Sequence, residues 1–532
     1  MSTKASKKKT KFQDFNYSSI FEHQKVGKKM VPPLNMLPTT KNSWLDDGAP
    51  EMLWAFAVAQ ALPREEYLAC FRAVTQWCLK NLPPYEERVK AATTANPTDI
   101  EPPGCDVEMA ELAKLPNEKF DDLASLLSSW SDCTPGLATL GALTTIPGHQ
   151  HWARCFPTEE PHWDILAAAI APAVDHQSEV STDIRWLKVY LSIAFGKMQF
   201  PETMKKDVEE ILDFPQSGDL RQIRPLIRST EGALRSMKAP LQWMTDFWDE
   251  VYQRTGCVDS SKKTDYDVRL EKKVKQEDLV ALRLNLLNGF VDTTTTTAID
   301  YRHDGAFGIM LYALSVAGEV CGPSRASSIT GRIGLRTLAE LYISFAYLAA
   351  KDDKALWYEY RNFGNGQTKL AFLKTEIRDG TVPEFMDQEA LFQMANEDTW
   401  QEFVDVNTGH WANLNLRKLA MEGGTKDVYD KYYDWTSTYA HGHWGAIRDS
   451  NFVTCFNPLH RFHRIPRITH RLLPAVTTDA VELLNAMLAL LLKLYPALGD
   501  ISAIPIHERS DTAQTQAEVP CDGRGRENSI SE

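Results

Sequence analysis

The stretch from Ser328 to Lys351 limits the fold more than any other part of this chain. On a helical wheel of about 100° per residue, Leu335, Leu338, Ala339, Leu341, Tyr342, Phe345, Ala346, Leu348 and Ala349 cover most of the circumference. A helix that is apolar nearly all round belongs inside a core. Yet Arg332, Arg336 and Glu340 form a stripe at four-residue spacing, continued by Ile343 and Tyr347. An unpaired buried charge costs several kcal/mol. Arg336 and Glu340 can pair along the helix, although Arg before Glu is the weaker order. Other groups are therefore expected to converge on the stripe.

His441 and His443 are the expected partners. They follow Tyr432-Tyr-Asp-Trp-Thr-Ser437-Thr-Tyr439-Ala, a helical period of aromatic and small residues. Gly442 lets the backbone approach closely or end the helix. A histidine held by a carboxylate and an arginine works as an acid–base group near neutral pH. Two readings stay open: a satisfied polar network that fixes helix packing, and a pocket. In the pocket reading His441, Arg336 and Glu340 are catalytic, while Arg332, Ser437 and His443 contact substrate. The densest Arg/His stretch, His460 to Arg471, adds Arg464 and Arg467 as phosphate contacts. Pro458, Pro466 and Pro474 exclude one continuous helix there, and a solvated connector is the plainer account.

No run of alternating apolar and polar residues is long enough for a sheet, so the fold class is all-α. A chain of 532 residues exceeds one ordinary core. The pattern divides into a flexible basic arm (1–45), an N-terminal helical domain (46–255), a charged linker (256–278), a C-terminal helical domain (279–500) and a disordered tail (501–532). Pro225 and Pro240 are expected to kink a long helix from Leu220 to about Tyr252. Asp304 is the expected cap of the helix around Phe307. Fourteen tryptophans point to large cores.

Net charge of -13 disfavours non-specific nucleic-acid binding but leaves room for a local basic groove. The nine cysteines form no CxxC pair, which suits structural thiols in a reducing cytoplasm. No apolar stretch reads as a signal peptide or membrane span. His149/His151 and His441/His443 are HxH pairs without a CxxC or HExxH, so no metal ligand set and no cofactor are expected. There is no P-loop, GxGxxG or GxSxG.

Leu335-Arg336-Thr-Leu-Ala-Glu340, then Tyr347-Leu-Ala-Ala-Lys-Asp352, Tyr360-Arg361 and finally Ser437-Thr-Tyr-Ala-His441-Gly together resemble the bacterial domain of unknown function 5677, over roughly residues 280–495. The resemblance implies a helical domain with an Arg/Glu helix and a Ser-x-x-x-His-Gly segment. It marks Arg336, Glu340, Ser437 and His441 and implies no activity. A fainter similarity is to HEPN-type helical ribonucleases, many of them toxins or antiphage effectors, which place an arginine and a histidine four to six residues apart on one helix. Arg464 and His470 have that spacing here, with Pro466 inside it.

The leading expectation is a cytoplasmic interaction or scaffold protein. Its Arg/Glu/His residues form a buried strut, its N-terminal half presents aromatic surface, and it binds a protein partner or a second copy of itself. The alternative is a metal-independent ribonuclease with RNA as substrate. There His441 moves the proton, Arg336 holds the phosphate, Glu340 orients one of them, and Arg464 and Arg467 track the backbone.

Overall fold

In a computed structural model of the chain, the residues described are 24–31, 43–84, 87, 107–198, 202–216, 218–236, 240–259, 266–267, 271–322, 324–377, 383–397, 400, 403–499 and 501–508. The protein is all-α. Its strands are short: β1 (Gln24–Val26) pairs antiparallel with β2 (Lys29–Val31), and β3 (Phe452–Thr454) pairs with β4 (Arg464–Pro466). The chain forms two compact units. Unit 1 is Met1–Asp259 plus Thr454–His463, and unit 2 is Ser260–Val453 plus Arg464–Glu532.

Unit 1 is built from α1 (Leu53–Ala61), α2 (Arg64–Asn81), α3 (Asn117–Ser128), α4 (Thr134–Gly141), α5 (His149–Cys155), α6 (Trp163–Val174), α7 (Glu179–Ala194), α8 (Lys205–Asp213), α9 (Leu220–Ser236) and α10 (Gln242–Arg254). The expected single helix from Leu220 breaks before Gln242, near Pro240, while Pro225 is kept inside α9. Trp54, Trp152, Trp186 and Trp248 are fully buried. Three of these indoles donate to a carbonyl: Trp54 to Val107, Trp186 to Ile211 and Trp248 to Asp46, at 2.7–3.0 Å. A buried indole N–H needs such a partner. These rings are core.

Charge also lies inside unit 1. The side chains of α7 include Asp183, Arg185 and Lys188, all buried. Glu231 of α9 has no exposed surface and meets Lys188 at 3.0 Å, Arg235 at 3.4 Å and Arg185 at 3.6 Å. Lys188 also pairs with Glu108 at 3.0 Å. The Arg185 guanidinium sits 4.1 Å from the Trp44 ring, and burial pulls its pKa down to about 10. Asp183 takes a bidentate bond from Arg64 and a bond from the Tyr67 hydroxyl. That hydrogen-bonded carboxylate holds the Arg64 guanidinium above its ordinary pKa.

Unit 2 contains α11 (Gln276–Thr293), α12 (Tyr301–Val320), α13 (Ile329–Lys351), α14 (Lys354–Ile377), α15 (Gln388–Ala395), α16 (Leu416–Glu422), α17 (Asp434–Ala440), α18 (Trp444–Asn451) and α19 (Thr477–Leu494). Asp300, rather than Asp304, caps α12 by accepting from the Arg302 and His303 amides, and Asp304 pairs with Arg361. Among the described residues α13 alone has the length and composition to cross a membrane. It packs instead against α12, α16, α17 and α19 as the central helix of the unit.

Three expected boundaries are corrected. Residues 454–463, placed with the C-terminal domain, belong to unit 1, where Leu459 is buried in the core. The described part of the 256–278 segment is tied down: the Tyr266 amide bonds the Leu472 carbonyl and Lys273 bridges His507. Residues 501–508, placed in a disordered tail, are ordered, with Ile504 buried and held by two hydrogen bonds to Asn485. In the 1–45 arm, residues 24–31 form the β1–β2 hairpin and Trp44 is buried. The rest of the arm and of the tail lies outside the described residues.

Glu231→Gln removes the anion that the buried Arg185 and Lys188 share with the half-buried Arg235. A loss of about 3–5 kcal/mol is expected, read as a lowered Tm and denaturation midpoint. A change within about 0.5 kcal/mol, the size of a surface substitution, would show that these cations are compensated without it.

Candidate functional site

The site begins at the amino end of α13. Ser328 caps the helix by accepting from the Gly331 amide, which fixes the first turn and points Arg332 inward. Arg332 is 8% exposed. Its Nη1 donates to the Ala326 carbonyl at 3.1 Å and its Nη2 to the Pro474 carbonyl at 2.5 Å. Burial lowers the Arg332 pKa, and Tyr439 and Asp449 pull it back up. The Tyr439 hydroxyl donates to Asp449 Oδ2 at 2.6 Å, and Arg471 pairs with the same carboxylate. Arg332 is thus consumed in a closed network. It joins α13 to the chain before it, to the Pro474 segment and to α17.

Arg336, one turn on, is only partly buried. It pairs with Glu340 at 2.9 Å despite the weaker order along the helix. Its guanidinium lies 5.3 Å from the Tyr433 ring, which itself stacks on Tyr429 at 5.0 Å. Burial alone would lower the Arg336 pKa, but Tyr433 and Glu340 more than reverse it. For Glu340, burial raises the carboxyl pKa against the opposing pull of Arg336 and then His441. His441 therefore lies within electrostatic reach of Glu340.

Helix α17 ends at Ala440. The His441 amide bonds the Ser437 carbonyl at 3.1 Å, and the His443 amide bonds the Thr438 carbonyl at 2.9 Å. Gly442 takes φ of 58°, the left-handed turn that glycine adopts without steric cost, and α18 starts two residues later. The two imidazoles stack at 5.8 Å and both are exposed. The expected buried Arg/Glu/His strut is therefore split in the structure. Carbonyls, Tyr439 and Asp449 compensate Arg332; Glu340 compensates Arg336; the histidines stand at the surface beside that pair.

Ser437 is half-buried; Arg464 lies exposed on β4, and Arg467, just beyond it, is half-buried. The Arg467 amide bonds the Asn451 carbonyl at 2.8 Å, and its Nε donates to the Thr469 carbonyl. Asp449 is absent from the sequence reading, and Tyr433, Tyr439 and Arg471 enter it only within longer segments, since their pairing with α13 carries no spacing signal. Burial pushes the thiols of Cys321 and Cys70 up to about 12 and that of Cys133 to about 11. The fold also gathers Cys257, Cys455, His460 and His463, where no metal ligand set was expected.

The model of a family of unknown function, DUF5677, matches residues 324–458. That span holds Arg332, Arg336, Glu340, Ser437, His441 and His443, so the resemblance seen in the sequence and this site fall on the same helices. No curated protein and no solved structure matches the chain.

The two arginines are expected to differ in what they hold up. Arg332→Ala strips a buried ion from its network and should cost about 3–5 kcal/mol. Arg336→Ala removes a partly exposed i,i+4 pair and should cost about 1 kcal/mol or less. Urea denaturation of both variants checks the order, and equal losses would contradict it.

Proposed function

We propose that the chain is a helical interaction protein that pairs with a second copy of itself through α11. One observation carries this reading. Val280, Leu284, Leu287 and Val291 are 48%, 56%, 43% and 69% exposed, while Leu279, Leu282, Leu286 and Gly289 on the opposite side of α11 are buried. Steps of four, three and four residues make a coiled-coil seam. Left in water, it is a contiguous apolar stripe of the kind that marks contact surfaces.

The seam favours a copy of itself as occupant. Val-Leu-Leu-Val at steps of four, three and four reads the same in both directions. A twofold axis would set α11 antiparallel to its copy, with Val280 facing Val291 and Leu284 facing Leu287. Tyr312 of α12, also exposed, widens the contact. Four small side chains per copy stay below the roughly 1,000 Å² of a stable interface, so the dimer is reversible.

Sedimentation velocity on the full chain should show a concentration-dependent shift from monomer to dimer up to about 100 µM, the range of weak complexes. Leu284→Asp with Leu287→Asp should abolish the shift without changing the circular dichroism. A wild-type chain that stays monomeric throughout, or a dimer that ignores the double substitution, overturns the reading.

A second reading rests on the exposed His441 and His443 beside the Arg336–Glu340 pair. In it His441 exchanges protons with an RNA 2′-hydroxyl or leaving oxygen, Arg336 binds the phosphate, and Arg464 and Arg467 contact the backbone. The test incubates purified chain with labelled RNA pools, with neither metal nor chelator added. Cleavage should fall about 10²–10⁴-fold in His441→Ala. Wild-type cleavage no greater than buffer, or equal in the variant, defeats it.

A further inference from the structure

Cys257, which follows α10 closely, meets three residues of the returning segment of unit 1, Cys455, His460 and His463. One donor atom from each lies within 4.8 Å of all the others. Cys257 Sγ is 3.2 Å from His463 Nε2 and 3.5 Å from His460 Nδ1, and Cys455 Sγ is 3.5 Å from His460 Nδ1. Zinc holds thiolate sulfur at about 2.3 Å and imidazole nitrogen at about 2.0–2.1 Å; at tetrahedral angles these bonds set S and N about 3.5 Å apart. The three S–N edges above, at 3.2–3.5 Å, lie close to that figure.

The surroundings are built for ligation. Thr255 donates its hydroxyl to the Val251 carbonyl at 2.6 Å. Its oxygen is then free to accept from His460 Nε2 at 2.9 Å and from Asn457 Nδ2 at 3.2 Å. This leaves His460 Nδ1 without a proton and aimed at both sulfurs, as a ligating imidazole whose other nitrogen is fixed by an outer partner. The Val258 amide points at Cys455 Sγ from 3.4 Å, a donor that favours thiolate over thiol. Arg461 and Phe462 adopt φ of 49° and 53°. Two consecutive left-handed non-glycine residues are costly, and this turn lies between His460 and His463. Arg461 itself pairs with Asp46 at 2.8 Å, and the Tyr252 ring packs against both imidazoles at 4.9 and 5.3 Å.

We infer that Cys257, Cys455, His460 and His463 bind one zinc ion as a closed, structural Cys2His2 site that pins the segment Thr454–His463 to the end of α10. All four positions are protein ligands, so no coordination place is left for substrate, and the role is to hold the fold rather than to do chemistry. The site is independent of the α11 seam and of the histidine pair on α17.

The full chain, purified under reducing conditions without chelator, should carry one zinc per chain by elemental analysis. Cobalt(II) added to the apoprotein should give the thiolate-to-cobalt charge-transfer band and the intense visible bands of a tetrahedral centre. Cys455→Ser and His460→Asn should lose both. Cys257→Ser, at an exposed position that spares the core, should lose the tight zinc while keeping its helical circular dichroism. Thr255→Val should keep the cobalt bands and bind about 10–100-fold more weakly. A folded wild type with neither zinc nor cobalt bands overturns the inference. So does a metal content unchanged in Cys257→Ser and His460→Asn, or a Cys257–Cys455 disulfide as the purified state.

Discussion

Unit 2 depends on how Arg332 is neutralised. A guanidinium inside a helical core must have its donors filled, and the cost of failure is several kcal/mol. Two of its donors go to the carbonyls of Ala326 and Pro474, segments that a helix packed only by leucines would leave loose. The Tyr439–Asp449–Arg471 chain completes the enclosure and draws α17 and α18 to the same end of α13. This explains how α13 can be apolar nearly all round and still sit in one register. Leucine packing supplies the free energy of burial, and the arginine selects which neighbours provide it. It also explains why His441 and His443 end at the surface: α17 is held by Tyr439 facing inward, and the turn at Gly442 carries the following residues outward.

The same constraint organises unit 1 with opposite bookkeeping. There the central charge is an anion, Glu231, and Arg185, Lys188 and Arg235 gather round it from two helices. Trp44 accepts the faces of Arg185 and Arg235, which ties it to α7 and α9. Because both units rely on buried ions rather than on apolar contact alone, each has few ways to repack. An ion displaced from such a network has no second place to go.

What could be read from the residues follows the range of the interactions. The all-α class, the burial of α13 and the helix end at Gly442 are local, written in periodicity and in one glycine. Asp304 precedes the apolar run and reads as the cap of α12, and only the backbone shows that Asp300 is the carboxylate that reaches the Arg302 and His303 amides. The pairing of the α7 charges leaves no local trace, because the counter-ions Glu108 and Glu231 lie 80 and 43 residues from Lys188. Residues 501–508 carry Pro505 and no helical period, and their order rests on Asn485, a polar interruption in an apolar helix that bonds Ile504. Likewise the pairing of Cys257 with Cys455 spans the whole of residues 260–453, beyond the reach of any ligand-spacing pattern.

The returning segment shows why a metal suits that place better than packing does. Ordering the ten residues Thr454–His463 costs about 10–20 kcal/mol of backbone entropy. Leu459, its deeply buried core side chain, returns about 1.5–3 kcal/mol. The bonds from Phe456 to Val258, Cys455 to His463 and Asn457 to Gly256, with the Arg461–Asp46 pair, add about 1 kcal/mol each. The left-handed turn at Arg461 and Phe462 adds to that cost. Structural zinc contributes about 10–16 kcal/mol at neutral pH, a term of the same size as the cost of ordering the segment. The segment is too short to build a core of its own, and four ligands on two stretches of chain do the work that a core would otherwise have to do.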